Sequence, residues 1–322
     1  MVSGNLTHLA DELGTGANSV ATFQLDQQAV RGRITRMDGQ VIGAILNRHD
    51  YPHELARFLG EALTLAVLIG ASLKEDARVA VQAQGSGPVS LMVAEYHTRG
   101  SLRGMLRYDE EKWALVERVN KDELIRPHPR QVFGNGALAI TVISDNEFVQ
   151  PYQGVVPLDG TSLAECAEHY FDRSEQVPTK VRLAVGEIQK AGEGASWQAG
   201  GALIQKVAGD ENRGDTEDQW NTASVLFQSV EDAELLDPDL SLGRVLYRLF
   251  HEDGVRMEAP SLIRDECTCS EERLVETMKN LPDNELLELA EETGKDVFEA
   301  DCQFCNRQFE IPLQDVITSK PN

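Results

Sequence analysis

Four of the five cysteines stand in two tight pairs near the end of the chain, Cys267-Thr268-Cys269 and Cys302-Gln303-Phe304-Cys305, with 32 residues between the pairs. Thiolates are soft ligands, and zinc takes four of them in a tetrahedron. A C-x-x-C turn presents two sulfurs to one ion, and a helical segment between the pairs can fold back to supply the other two. The pattern therefore predicts one zinc per chain, held by Cys267, Cys269, Cys302 and Cys305. Four thiolates close the shell and leave no position for water, so the expected site is structural rather than hydrolytic. The same thiolates are oxidisable, which places the cluster to act as a redox switch.

Other chemistry is harder to find. His53-Glu54-Leu55-Ala56-Arg57 has Arg where the zinc-protease pattern H-E-x-x-H needs its second His. Asp301 sits where a zinc deaminase has Pro before its C-x-x-C. Gly85-Ser86-Gly87-Pro88 lacks the Lys and the following helix of a phosphate loop and reads as a hairpin turn. A thioredoxin-like use of Cys302 and Cys305 leaves Cys267 and Cys269 without a role. No enzyme is expected.

The elements that must position the cysteines read as follows. Cys267-Thr268-Cys269 leads into a helix capped by Ser270; Leu281-Pro282-Asp283 opens another, which Gly294 ends. A strand then enters the C-x-x-C, and Asn306-Arg307 makes the turn out of it. Upstream, residues 1–180 read as a mixed-sheet core. Strand-like runs cover Ala29–Ile34, Val41–Leu46, Val79–Ala83, Val89–Ala94 and Ala137–Ile143. A helix is expected over 53–73, and Ser162-Leu163-Ala164-Glu165 fits a capping box whose helix carries Leu163, Cys166, Ala167 and Tyr170 on one face. Buried free Cys behaves as a small hydrophobe, so Cys166 is expected to be structural. Strands and helices do not alternate regularly, which favours α+β.

Residues 181–264 are expected to form a linker, with 181–207 strand-like, broken at Gly192-Glu193-Gly194 and Gly200-Gly201, and of open affiliation. Asp210 to Asp239 holds ten acidic residues and one basic residue. Two amphipathic helices are embedded there: Trp220, Ala223, Leu226, Phe227 and Val230 recur at helical spacing, then Leu242, Val245, Leu246, Leu249 and Phe250. Their apolar faces are candidates for a hidden working surface; permanent docking on the core is the simpler alternative. Residues 265–322 form the expected zinc module.

The chain carries 53 acidic and 30 basic residues, a formal charge of −23, and Arg264 to Asn322 alone has fifteen acidic and six basic residues. Such surfaces repel phosphate backbones, which opposes a zinc-ribbon nucleic-acid protein, the main competing reading beside a thiol-disulfide oxidoreductase. Met1 to Asp11 has no secretory signal, and Ala62–Leu73, the longest apolar stretch, falls short of the roughly 20 residues that span a bilayer. Four clustered cysteines do not form a secreted disulfide framework, so a cytosolic protein is expected.

These residues resemble the heat shock protein 33 family of redox-regulated chaperones. The resemblance lies in Leu249-Phe250-His251-Glu252, Cys267-Thr268-Cys269-Ser270 and Cys302-Gln303-Phe304-Cys305-Asn306, and upstream in Pro151–Leu158, Ser174–Thr179 and Gly200–Gln205. An acidic connector longer than the family's usual form, and Arg173 where Gln is common, depart from it. The resemblance implies a holdase that is off when reduced and zinc-bound and on when oxidised. Four cysteines allow three pairings; the resemblance implies Cys267–Cys269 and Cys302–Cys305, which also stay neighbours once the metal leaves. It implies unfolding client proteins as partners and hand-over to ATP-dependent chaperones; the apolar surface uncovered on oxidation offers a face on which two chains can pair as a homodimer. The candidate client-binding face is Trp220, Leu226, Phe227, Leu242, Leu246, Leu249 and Phe250.

Overall fold

The computed structural model describes residues 17–317, apart from 124–125, 190–191, 193, 208–215 and 294. The readings made on Met1–Asp11, on the start of the acidic run (210–215) and on Gly294 lie outside the described residues. The fold is α+β, and the chain divides into two compact units, Met1–Asp265 and Glu266–Asn322.

In the first unit β1 (Ser19–Leu25) and β2 (Val30–Met37) form a hairpin. Strands β3 (Ala77–Gly85), β4 (Val89–His97) and β5 (Ser101–Tyr108) form a meander, and β6 (Gly136–Ser144) and β7 (Tyr152–Pro157) extend it past β3. A long hairpin follows, β8 (Thr179–Gln189) and β9 (Ala195–Lys206), and β9 pairs with β2 from Val30↔Lys206 to Met37↔Ala199. Segment 181–207 thus belongs to a sheet of this unit. The chain then returns as β10 (Val255–Met257), β11 (Ser261–Leu262) and β12 (Arg264–Asp265). The first sheet has the order β10-β1-β2-β9-β8, with β11 also on β1, and the second has the order β12-β5-β4-β3-β6-β7. Only β12 pairs in parallel, with β5; the other described pairs are antiparallel.

The helix expected over 53–73 runs from His53 to Gly70, and every residue from Leu55 onward is buried. It lies in the core shared by the two sheets, with Val81 and Met92 of the second and Val181 and Leu203 of the first in the same apolar cluster. Such a helix has no polar face to spare, which is why its apolar residues outnumber a single stripe. Ser162 accepts from the Glu165 N–H at 3.2 Å as a capping box requires, but the Glu165 carboxylate turns to Thr161 N–H rather than back to Ser162. Cys166 is fully buried, and burial pushes its thiol up to about 11.

Two expectations fail. Val41–Leu46 is helical, not a strand: Asp38 accepts from the Gln40 N–H, and Val41, Ile42, Ile45 and Leu46 all reach the core. Those four positions fit helical as well as strand burial, and the Asp cap decides between them. Nor does Gly200-Gly201 break the strand, since β9 runs through it. Both glycines admit a neighbour instead: a Cβ at Gly200 would meet Leu235 O at 2.3 Å, and one at Gly201 would meet Thr64 Cγ2 at 2.6 Å.

A cleft of about 670 Å³ opens beside the buried helix, lined among others by Arg57, Glu61, Arg126, Lys180 and Asp232. Arg57 pairs with Glu54 at 2.8 Å and also with Glu61. Burial pushes the Glu61 carboxyl up to about 7, against the pull of Arg57. The folded state therefore holds this proton more tightly than the unfolded chain, and stability declines as pH rises from the unfolded value of 4.5 towards about 7. Glu61→Gln is expected to flatten that decline, so that the thermal midpoint of the reduced protein falls by a few degrees less between about pH 5 and pH 7 than in the unsubstituted chain. Equal slopes in scanning calorimetry would show that Glu61 stays ionised throughout.

Candidate metal centre

The second unit builds its site on a small scaffold. Ser270 caps the helix Glu271–Met278, accepting from the Arg273 N–H at 3.4 Å, and this fixes the exit of the C-x-C turn. Arg273 Nη1 also donates to Thr268 O at 2.8 Å, the carbonyl between the two cysteines. A second helix, Asp283–Thr293, precedes the hairpin of β13 (Val297–Asp301) and β14 (Gln308–Pro312). The C-x-x-C lies in the hairpin turn. Cys305 N–H and Asn306 N–H both donate to Cys302 O, at 3.3 and 2.8 Å, and Cys302 N–H donates to Arg307 O at 2.9 Å. Asn306 takes a positive φ of 56°, a conformation Asn tolerates better than most residues, as the turn out of the knuckle requires. Helices and hairpin close on a core whose buried members are Leu286, Ala290, Phe298, Ile311 and Val316.

All four sulfurs lie within 4.8 Å of one another. Cys267 Sγ is 3.8 Å from Cys302 Sγ, and Cys269 Sγ is 3.4 Å from Cys305 Sγ. A tetrahedral zinc thiolate with metal–sulfur bonds of about 2.3 Å has sulfur–sulfur edges of about 3.8 Å, so this donor set fits zinc. Without metal the thiols are unlike. Burial raises Cys302, yet the N–H groups of Phe304 and Cys305 outweigh it and hold the thiol down to about 7. Burial and its sulfur neighbours push Cys269 well up, and burial raises Cys305. Crowding disfavours four separate anions unless a cation neutralises them.

The Hsp33 protein family model matches residues 18–312. The chain belongs to the Hsp33 family. It is 42% identical to the 33 kDa chaperonin of Caulobacter vibrioides (strain NA1000 / CB15N), covering 95% of this chain and 98% of that one. It is 33% identical to the 33 kDa chaperonin of Escherichia coli O7:K1 (strain IAI39 / ExPEC), over 93% and 94%. The crystal structure of the 33 kDa chaperonin of Thermotoga maritima has the same fold, with a TM-score of 0.70 over 93% of this chain and 96% of that one, at 22% identity. Membership of this family makes the protein a chaperone.

The candidate client-binding residues lie elsewhere in this Hsp33 chain. Trp220 and Phe227 sit on the helix Thr216–Gln228, and Leu242, Leu246, Leu249 and Phe250 on Leu242–Phe250. All six are buried and Leu226 is partly buried, packed on β1, β2 and β9 in one cluster with Phe23, Ile34, Ala202 and Ile204. Both helices, and the short Asp232–Leu236 between them, thus cover the outer face of the first sheet. Sequence reasoning missed Arg36, which is buried on that face and donates from Nε to Leu235 O at 2.8 Å, from Nη2 to Glu234 O at 2.7 Å and from Nη1 to Leu240 O. The signal was present: in Val30-x-Gly32-x-Ile34-x-Arg36 a cation falls in register with an apolar strand face. No described helix is long and apolar enough to cross a membrane.

The reduced protein is expected to bind one zinc per chain with four sulfur ligands, measured by elemental analysis and X-ray absorption. Replacing any one of Cys267, Cys269, Cys302 or Cys305 by Ser should release zinc to a chelator at least tenfold more readily, while Cys166→Ala should leave it unchanged. A nitrogen ligand, or two metals per chain, contradicts the assignment.

Proposed function

We propose that the protein is an ATP-independent holdase switched by the redox state of its four-cysteine centre. In the reduced form Cys267, Cys269, Cys302 and Cys305 hold zinc, which would supply folding free energy on the order of 10 kcal/mol to a unit with little core of its own. The observation that carries the reading is the mutual approach of all four sulfurs to within 4.8 Å in a unit with only five buried apolar side chains among its described residues.

Oxidation by a peroxide or hypochlorous acid begins with a thiolate attacking the oxidant to give a sulfenic acid. A second thiolate then displaces hydroxide and forms the S–S bond, two electrons having passed to the oxidant. Two such events form Cys267–Cys269 and Cys302–Cys305, the pairing that the family resemblance implies. All four sulfurs are mutual neighbours in the closed site, but the sequence neighbours remain tethered when the unit loosens. Disulfides no longer ligate zinc, and the unit loses its main support. Cys267 follows Asp265 of β12 by two residues, so loss of order there reaches the last strand that the connector contributes to the first unit. The connector helices then leave the first sheet, uncovering apolar surface on both sides of the seam.

Binding is broad because apolar surface selects exposed hydrophobicity rather than a sequence. The charge of −23 keeps client complexes dispersed. A cytoplasmic site of action, pairing of two oxidised chains, and hand-over to ATP-dependent chaperones complete the proposal.

The test is light scattering of a heat-denatured client. Oxidised protein is expected to suppress aggregation without ATP, and reduced zinc-loaded protein is expected not to. Cys302→Ser protein should give the same result in reducing and oxidising buffer. Equal protection by both forms of the unsubstituted protein reduces the zinc site to a structural one. Hydrogen exchange supplies a second check. On oxidation it should rise across 216–250 and 266–317 while 53–70 stays protected, and uniform protection in both states would falsify the switch.

A further inference from the structure

The underside of the connector shows how the first sheet holds it. Arg36 on β2 stands directly opposite Gly200 on β9 in the ladder. Leu235 O lies over Gly200, where a Cβ would come within 2.3 Å, and receives the Nε–H of Arg36. Nη2 and Nη1 take Glu234 O and Leu240 O. The guanidinium thus spends all three nitrogens on backbone carbonyls. Two of these belong to the last residues of the short helix Asp232–Leu236, whose final carbonyls have no partner within the helix. Ile34 and Ala202, the next pair along the same face, and Ile204 beyond them belong to the apolar cluster under the connector. This is a receptor for main-chain oxygen, built from a fixed donor fork and an adjoining gap that any side chain would fill.

We propose that, once the connector has left, this Arg36–Gly200 cradle takes the carbonyl-rich end of a client's frayed helix or turn in place of residues 234–240. The inference rests on the connector release proposed above and names the chemistry that the uncovered face recognises. Orphan carbonyls beside apolar side chains are what a partly folded chain displays and a native one does not. Recognition through the main chain explains broad choice of client, while the guanidinium, desolvated in the cradle, makes each bond stronger than a neutral pair. Lys cannot replace it, since an ammonium lacks the planar fork.

The test uses full-length oxidised protein and two probes, chemically unfolded citrate synthase and a fluorescent synthetic peptide of residues 229–250. Both should bind, and the peptide should compete with the client. Arg36→Lys, which keeps the charge, and Gly200→Ala, which fills the gap, should each weaken both probes by about tenfold or more, the loss of one or two charge-assisted hydrogen bonds. Ile204→Val on the same face should change them less than threefold, and protection of 53–70 from exchange confirms that each variant is folded. If both cradle variants bind the client as tightly as the unsubstituted chain while 216–250 is exchanging freely, the cradle has no part in client binding. If 216–250 stays protected in the oxidised protein, the connector never leaves, and the switch falls together with the cradle.

Discussion

A β-sheet with apolar side chains on both faces needs a cover on each, and the first sheet of this protein is of that kind. Along β9 every residue from Trp197 to Gln205 is buried. Leu203 and Ala199 point to the core with the helix His53–Gly70, and Ala202 and Ile204 point the other way. The inner cover is permanent, since the helix has no exposed face. The outer cover is the connector, whose described part is three short helices between 216 and 250. Each large apolar side chain buried there contributes about 2 kcal/mol relative to exposure.

The polar contacts that orient the cover include an ion pair, Lys206 with Glu217, but several others join sheet cations to connector carbonyls. Arg36 reaches three connector carbonyls, and Arg182 Nη2 donates to Val230 O at 2.6 Å. The connector is strongly acidic, yet these sheet cations bind its main chain, and the carboxylates of Glu231 and Asp239 remain exposed. Gly32 assists the docking: a Cβ there would strike the Phe23 ring at 2.2 Å, so its absence lets Phe23 lie on the sheet beside Phe250, with ring centroids 6.3 Å apart.

The second unit has the opposite balance. Its hydrophobic cluster is small, its helix Glu271–Met278 has no buried residue, and Leu287 and Leu289 are exposed on the helix that follows. Hydrogen bonds around the cysteines shape it instead: the knuckle at Cys302–Asn306, the Ser270 cap, and Arg273 on Thr268 O. In the proposed switch this unit answers to whatever removes thiolates, whereas the first unit, ordered by side-chain packing, does not. Cys166 marks the contrast. Burial raises its thiol to about 11, so it contributes little thiolate at neutral pH.

The cysteine cluster was legible in the sequence because ligand type and spacing along the chain constrain it locally, and both halves sit in turns with their own signatures, Ser270 and Asn306. The helix at 53–70, the Ser162 cap and the apolar faces at 220–230 and 242–250 were legible for the same reason, since helical periodicity is a local property. Three things were not. Val41–Leu46 carries apolar residues that suit a strand or a helix, and the Asp38 cap chose the helix. Gly200-Gly201 resembled a break, but the glycines admit Leu235 and Thr64, which are distant in sequence. Above all, the apolar faces of the connector say that something is covered without saying what. Only tertiary structure assigns them to the outer face of β1, β2 and β9, with Arg36 as their fastening, because that choice depends on which surface is left over when the rest of the chain has packed.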